Sequence, residues 1–145
     1  MDIRVISYNE YHYHVKKLAL AIDTHFDAIY SLPRGGLPIA VSLSHLLDKP
    51  VVMSIDQFKL EFPKDRTLLI VDDIVDTGET LKVLTKNIDI RYLTASLHYK
   101  PLRSSFKPDY YLIETDEWIS YPWETEVSKA SVYHQEIYPE VFNAL

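Results

Sequence analysis

The stretch Leu68-Leu69-Ile70-Val71-Asp72-Asp73-Ile74-Val75-Asp76-Thr77-Gly78-Glu79-Thr80 decides how this chain folds. Its four leading residues form a bounded apolar run, the pattern of a parallel strand buried on both faces. The acid pair Asp72-Asp73 stands where that strand would end. Adjacent carboxylates repel each other unless something cationic or hydroxylic is bound, so the pair points to a ligand. Thr77-Gly78-Glu79-Thr80 then supplies hydroxyls and unpaired amides at the start of a helix, where the dipole favours a phosphate. The segment thus offers acceptors for sugar hydroxyls or metal-bound water, followed by donors for a phosphate. That combination suits a ribose 5-phosphate.

The 145 residues include three glycines, confined to two stretches: Gly78 above, and Gly35 and Gly36 in Leu32-Pro33-Arg34-Gly35-Gly36. A chain so sparing uses glycine where backbone must take positive φ or lie against a ligand. Arg34 offers a forked cation for a pyrophosphate, and Gly35 and Gly36 let backbone amides approach its oxygens. Alone, Arg-Gly-Gly is more often a turn leading into a helix than a site; its position ahead of the acid-pair run gives it weight.

Outward from these stretches, strands and helices alternate. Ser7-Tyr8-Asn9-Glu10 reads as a capping box, and Tyr8, Tyr11, Val15, Leu18, Ala19 and Ile22 recur at helical spacing, which predicts an amphipathic helix to about Asp23. Residues 28–32 predict a strand, 37–47 an apolar helix with Pro38 in its first turn, and 51–55 another strand. Residues 80–85 continue as helix, and 92–97 and 110–113 as strands. The result is an α/β fold, a parallel sheet flanked by helices, whose ligands bind beyond the carboxyl ends of the strands. His12 and His14 face different ways on a helix and make a poor metal pair; with Tyr11 and Tyr13 they read as surface or subunit-contact residues.

The length suits a single domain, and 47% hydrophobic residues can build its core. A net charge of −6 argues against nucleic acid as the main partner, although local basic groups and magnesium can still hold an anionic substrate. With no cysteine, disulfide and thiolate chemistry are excluded. The apolar stretches fall far short of a membrane span and the N-terminus shows no basic-then-apolar signal. A cytoplasmic protein without a membrane anchor is expected.

The run from Leu68 to Thr80 closely resembles the phosphoribosyl-pyrophosphate (PRPP) signature of the type I phosphoribosyltransferases, in which four apolar residues lead into two acids, a short spacer and a Thr-Gly-x-Thr loop. Receiver domains also carry an acid pair, but at the end of their first strand, whereas at least two strand candidates precede Asp72 here. The resemblance implies the type I phosphoribosyltransferase fold, one domain over residues 1–145 with a small C-terminal hood mainly from about residue 114 onward. It implies PRPP as co-substrate and magnesium as cofactor, with Asp72 and Asp73 on the ribose hydroxyls and Asp73 also orienting the metal through water. Thr77, Gly78, Glu79 and Thr80 would hold the 5′-phosphate. Arg34, Gly35 and Gly36 match the family's pyrophosphate loop, which implies a cis peptide at Pro33–Arg34.

His98-Tyr99-Lys100-Pro101 follows a predicted strand, and Trp118-Ile119-Ser120-Tyr121-Pro122-Trp123 comes after the next. This layout is similar to the bacterial xanthine-guanine and hypoxanthine branch, where a Lys-Pro and a later Trp-Ile-x-x-Pro-Trp lie at comparable spacing. That resemblance puts Lys100 on the exocyclic O6 of a purine, Trp118 on its face and the Ile119 backbone on its edge. Taken singly, Lys100 reads as a solvated strand-end charge, and Trp118, like Trp123, as a core aromatic. Asp76 is placed to bind the purine and accept its N7 proton, or merely to cap the helix before Thr77. The implied activity is purine salvage, a magnesium-dependent glycosyl transfer from PRPP to xanthine, guanine or hypoxanthine by a homo-oligomer, dimer or tetramer. A non-catalytic PRPP-binding regulator, or a transferase for another base, is the alternative on the same fold. The chain departs from the family over residues 56–67, where many relatives carry a longer mobile loop and a Ser-Tyr pair that is absent here.

Overall fold

The computed structural model describes residues 2–124, in which the elements run β1 (Ile3–Val5), α1 (Tyr8–Ala21), β2 (Ala28–Ser31), α2 (Leu37–Leu47), α3 (Ile55–Glu61), β3 (Thr67–Val75), α4 (Glu79–Lys86), β4 (Arg91–Tyr99), β5 (Tyr110–Glu114) and β6 (Trp118–Ser120). They fall into two compact units. One is Tyr13–Asp116; the other joins Met1–His12 to Glu117–Leu145, of which residues 2–12 and 117–124 are described. Most of the expected hood, from residue 125 on, lies outside the described residues.

The larger unit is built on a four-stranded parallel sheet in the order β2-β3-β4-β5. β3 is interior to it, paired on both sides, and Leu68, Leu69, Ile70 and Val71 are buried completely. A strand covered on both faces has no solvent side to make polar, hence the unbroken apolar run. Leu68 and Ile70 share one core cluster with Ala28, Val52, Phe58, Leu81 and Tyr99. Side chains lock the register at the strand starts: the Thr67 amide donates to Asp27 Oδ2 at 2.8 Å, and the Thr94 amide donates to Asp109 Oδ2 at 2.9 Å.

Two expectations about the strands need correction. The acid pair does not end its strand. β3 continues through Val75, with Asp72 opposite Ser96 and Ile74 opposite His98 on β4. The long neighbouring strand supplies backbone partners beyond the point where the apolar run stops. Nor do residues 51–55 form a strand. Val51 makes a single parallel bridge to Ile29, after which the Ser54 side chain accepts from the Gln57 amide at 2.9 Å and starts α3. An N-cap there competes successfully with strand pairing, since it satisfies a helical amide and delivers Phe58 into the core.

The smaller unit carries a pairing the sequence did not reveal. β1 runs parallel to β6, with Ile3 opposite Trp118 and Arg4 opposite Ile119. At the start of α1, the Glu10 amide donates to Ser7 Oγ at 3.1 Å and the Ser7 amide to Glu10 Oε1 at 3.4 Å, the reciprocal capping box. On α1 itself Tyr11, Val15, Leu18 and Ala19 are buried, while Tyr8 is exposed. Of the four residues expected at the surface, His12 and Tyr13 are exposed, but Tyr11 is buried and His14 half-buried, its ring 6.3 Å from that of His98 in a T-shaped arrangement.

Phe58 is 2% exposed and stacks on Phe62 with ring centroids 4.9 Å apart. Phe58→Ala is therefore expected to cost about 3–5 kcal/mol of unfolding free energy, read from the denaturation midpoint. A loss below about 1 kcal/mol would show that α3 is not part of the core.

Candidate functional site

Because all four strands of the larger sheet are parallel, the segments that follow β2, β3 and β4 emerge at one sheet edge. The first is Leu32-Pro33-Arg34-Gly35-Gly36, with a cis peptide between Pro33 and Arg34 as the resemblance implied. Its glycines make close approaches. A methyl group on Gly35 would run into the Asp73 carboxylate, and one on Gly36 would meet Ser31 Oγ and come within 2.9 Å of the Val71 carbonyl oxygen. The loop is thus pressed onto the end of β3, with the exposed Arg34 beside the acid pair's glycine neighbour.

In the acid pair, Asp72 Oδ1 accepts from the Asp73 amide at 2.9 Å, and Asp73 Oδ1 accepts from the Ile74 amide at 2.8 Å. These bonds satisfy one oxygen of each carboxylate and do not remove the repulsion. Burial, reinforced by the neighbouring Asp73 charge, pushes the Asp72 carboxyl up to about 8. A bound cation or a set of sugar hydroxyls would relieve it.

The second segment, Asp76-Thr77-Gly78, turns β3 into α4. Gly78 is the helix N-cap with φ of 81°. Left-handed backbone favours glycine there, and space demands it too: a methyl group would lie 2.5 Å from Ser104 Oγ and 2.6 Å from Phe106 Cβ. The Glu79 amide at the start of α4 donates to Thr77 Oγ1 at 3.4 Å, and the amides that follow in the first turn have no intrahelical acceptor, the arrangement that favours an anion. Asp72, Ile74, Asp76, Thr77, Gly78 and Thr80 line a cleft of about 90 Å³ at this point.

The third segment, after β4, rests on the second. The Ser105 amide donates to the Thr77 carbonyl at 2.9 Å, and Ser105 Oγ lies 3.4 Å from Glu79 Oε1. Lys100 is no solvated strand-end charge. It is 3% exposed, and its Nζ lies 3.7 Å from Asp76 Oδ2, while Arg103 Nε lies 2.9 Å from Asp76 Oδ1. The Asp76 carboxylate is therefore faced by two cations, an arrangement that a simple helix cap does not require.

Arg34, Gly35, Gly36, Asp72, Asp73, Asp76, Thr77, Gly78, Glu79, Thr80 and Lys100 all lie in the Tyr13–Asp116 unit, with Asp72 and Asp73 in the last part of β3, Glu79 and Thr80 in the first turn of α4 and the others on the three segments. Trp118 and Ile119 belong to β6 of the other unit, Trp118 38% exposed and Ile119 buried. In that unit Trp123 stacks on Tyr121 at 5.0 Å and meets Tyr11 edge-on at 5.0 Å, the packing role expected of it. Sequence reasoning missed Arg103 and Ser105. Their only signal was position, a few residues beyond Lys100-Pro101.

A parallel α/β sheet whose interior strand carries an acid pair and leads through a glycine turn into a helix is the frame of a nucleotide- or sugar-phosphate-binding fold. The profile of the phosphoribosyl transferase domain matches residues 54–130, and the chain belongs to this family. It is 31% identical over 141 residues, covering 83% of this chain and 86% of the other, to the xanthine-guanine phosphoribosyltransferase of Desulfotalea psychrophila. Two solved structures are similar as well. The purine phosphoribosyltransferase of Pyrococcus horikoshii superposes with a TM-score of 0.73 at 31% identity over 87% of this chain and 97% of that one. The xanthine-guanine-hypoxanthine phosphoribosyltransferase of Helicobacter pylori does so with a TM-score of 0.69 at 26% identity, over 85% and 94%. The type I fold and the family read from residues 68–80 are borne out.

The raised Asp72 carboxyl gives a pH signature. Its ordinary value is 3.8 and its folded value about 8, so its stabilising contribution is complete below the lower value and is lost as pH rises through the upper one. Asp72→Asn carries no charge at any pH and escapes that loss. The melting temperature of Asp72→Asn minus that of the wild type should therefore grow between about pH 5 and about pH 9. A difference that stays constant would refute the burial effect.

Proposed function

We propose that this protein is a purine-salvage phosphoribosyltransferase that transfers ribose 5-phosphate from PRPP to a 6-oxopurine, giving the nucleoside 5′-monophosphate and pyrophosphate. The observation that carries the reading is the continuity of Asp72-Asp73 with the turn that opens α4, beside the Asp76–Lys100 pair at the same sheet edge. Ribose hydroxyls fit the acids, and the 5′-phosphate fits the amides and hydroxyls of Thr77, Gly78, Glu79 and Thr80. Arg34 and the backbone of Gly35 and Gly36 suit the departing pyrophosphate. The names of the similar proteins support a purine as acceptor.

Magnesium bound with PRPP would neutralise charge on the leaving group, held on the protein side by Asp73 through water. Among the described residues no group of three or more His, Cys, Asp and Glu side chains could hold a metal ion. An acid pair is the donor set expected for a hard cation that is carried mainly by substrate phosphates and water. As the bond at ribose C1 breaks, positive charge grows on a sugar held by Asp72 and Asp73, and negative charge grows beside Arg34. Asp76 accepts the N7 proton of the attacking purine, and Lys100 donates to O6. For Trp118 and the Ile119 backbone, the purine's face and edge are the contacts that resemblance to the xanthine-guanine branch supports.

Pyrophosphate release with PRPP, magnesium and a panel of free bases tests the reading. Lys100 can donate to a carbonyl but meets another donor in adenine's amino group, so adenine should be disfavoured by about a thousandfold or more, and Lys100→Ala should weaken the oxopurines most. Efficient turnover of adenine or orotate, with none for xanthine, guanine or hypoxanthine, would overturn the assignment.

Asp76→Asn should leave PRPP affinity intact, measured by calorimetry, while lowering kcat about a hundredfold, the scale of a lost proton acceptor. Unchanged turnover would return Asp76 to the role of a cap.

A further inference from the structure

Lys100 and Arg103 reach Asp76 from a single turn. The Arg103 amide donates to the Lys100 carbonyl at 3.1 Å, closing Lys100-Pro101-Leu102-Arg103 with proline at a position its fixed φ favours. The Ser104 amide donates to the same carbonyl at 3.0 Å, and the Ser105 amide ties the loop to Thr77. The backbone that bears the two cations is thus tied to the turn that carries Asp76. They divide the carboxylate between them, Arg103 Nε at 2.9 Å from Oδ1 and Lys100 Nζ at 3.7 Å from Oδ2.

The oxygens differ. Oδ1 is buried and no aligned hydrogen bond reaches it among the described residues, so the guanidinium at 2.9 Å is its charge partner. Arg103 is half-exposed, and an ion pair at such a site contributes little to folding stability. Its geometry suits a different task. A carboxylate rotates about its Cβ–Cγ bond and exchanges its oxygens, unless one of them is held. A planar guanidinium can hold one, whereas an ammonium is a point charge that imposes no plane.

We infer that Arg103 is a positioning residue: it keeps Oδ1 of Asp76 engaged so that Oδ2 stays turned to the purine when Lys100 leaves it for the base. The inference rests on the reading of Asp76 as the proton acceptor. Arg103 touches neither base nor ribose in this scheme and acts through the carboxylate alone.

The test compares Arg103→Ala, Arg103→Gln and Arg103→Lys, each alone and in the Asp76→Asn background, by steady-state kinetics with a 6-oxopurine and by calorimetric PRPP affinity. Arg103→Ala and Arg103→Gln should lower kcat by about tenfold to a hundredfold, the scale of a misplaced catalytic group, with PRPP affinity and melting temperature near those of the wild type. Arg103→Lys, which keeps the charge without the fork, should recover part of the loss. In the Asp76→Asn background, removing Arg103 should add nothing, because its effect runs through that carboxylate. Wild-type kcat in Arg103→Ala, losses that multiply in the double variant, or a defect confined to PRPP affinity would each overturn the inference. Wild-type turnover in Asp76→Asn would instead remove the proton-acceptor reading and the inference with it. A slow Asp76→Asn beside a normal Arg103→Ala would sink the inference alone.

Discussion

Two consecutive carboxylates within a buried parallel strand are the constraint on which this structure depends. β3 is covered on both faces and paired on both sides, so Asp72 and Asp73 are held where the backbone puts them. They cannot separate as they would on a loop. Amide donors quiet one oxygen of each, yet Asp72 remains far above the ordinary carboxylate range. A cation or a set of sugar hydroxyls brought to the pair would lower that cost.

The scarcity of glycine follows from the same crowding. Three segments converge on one sheet edge, and each glycine marks a point where backbone meets another segment. Gly36 sits over the end of the Val71 run, Gly35 against Asp73, and Gly78 against the loop after β4. Contact between the Gly78 turn and residues 104–106 links the turn that opens α4 to the loop bearing Lys100 and Arg103. That turn and the two cations therefore belong to one packed body in the larger unit.

The segment before β3 shows how local chemistry shapes what surrounds a site. Ser54 caps α3, Met53 donates its amide to Gln57 Oε1 at 2.6 Å, and Phe58 plugs the core. Ser54 through Phe62 is thereby committed to capping, helix and packing. The departure from the family noted at residues 56–67 is, in this protein, a short crossover helix held by its own aromatic pair.

The sequence by itself determined the parallel α/β architecture, the strand at Leu68 to Val71, the helix at Leu37–Leu47, the capping box at Ser7 and Glu10, and the acid pair with the glycine turn that follows it. Each is a local pattern whose meaning lies within about ten residues: burial on both faces, an N-cap, a helix start after glycine. Tertiary structure alone decided the rest. The extension of β3 to Val75 needed β4 beside it, and the pairing of β1 with β6 joins residues more than a hundred positions apart. The strand anticipated at residues 51–55 gave way to a helix because Ser54 and Phe58 found better partners there. Taken singly, Lys100 read as an exposed charge, and resemblance alone put it on a purine; folding buries it beside Asp76, and Arg103 carried no signal until a turn brought it to the same carboxylate. Charges on separate segments become a site when the sheet edge gathers them, and no spacing along the chain encodes that meeting.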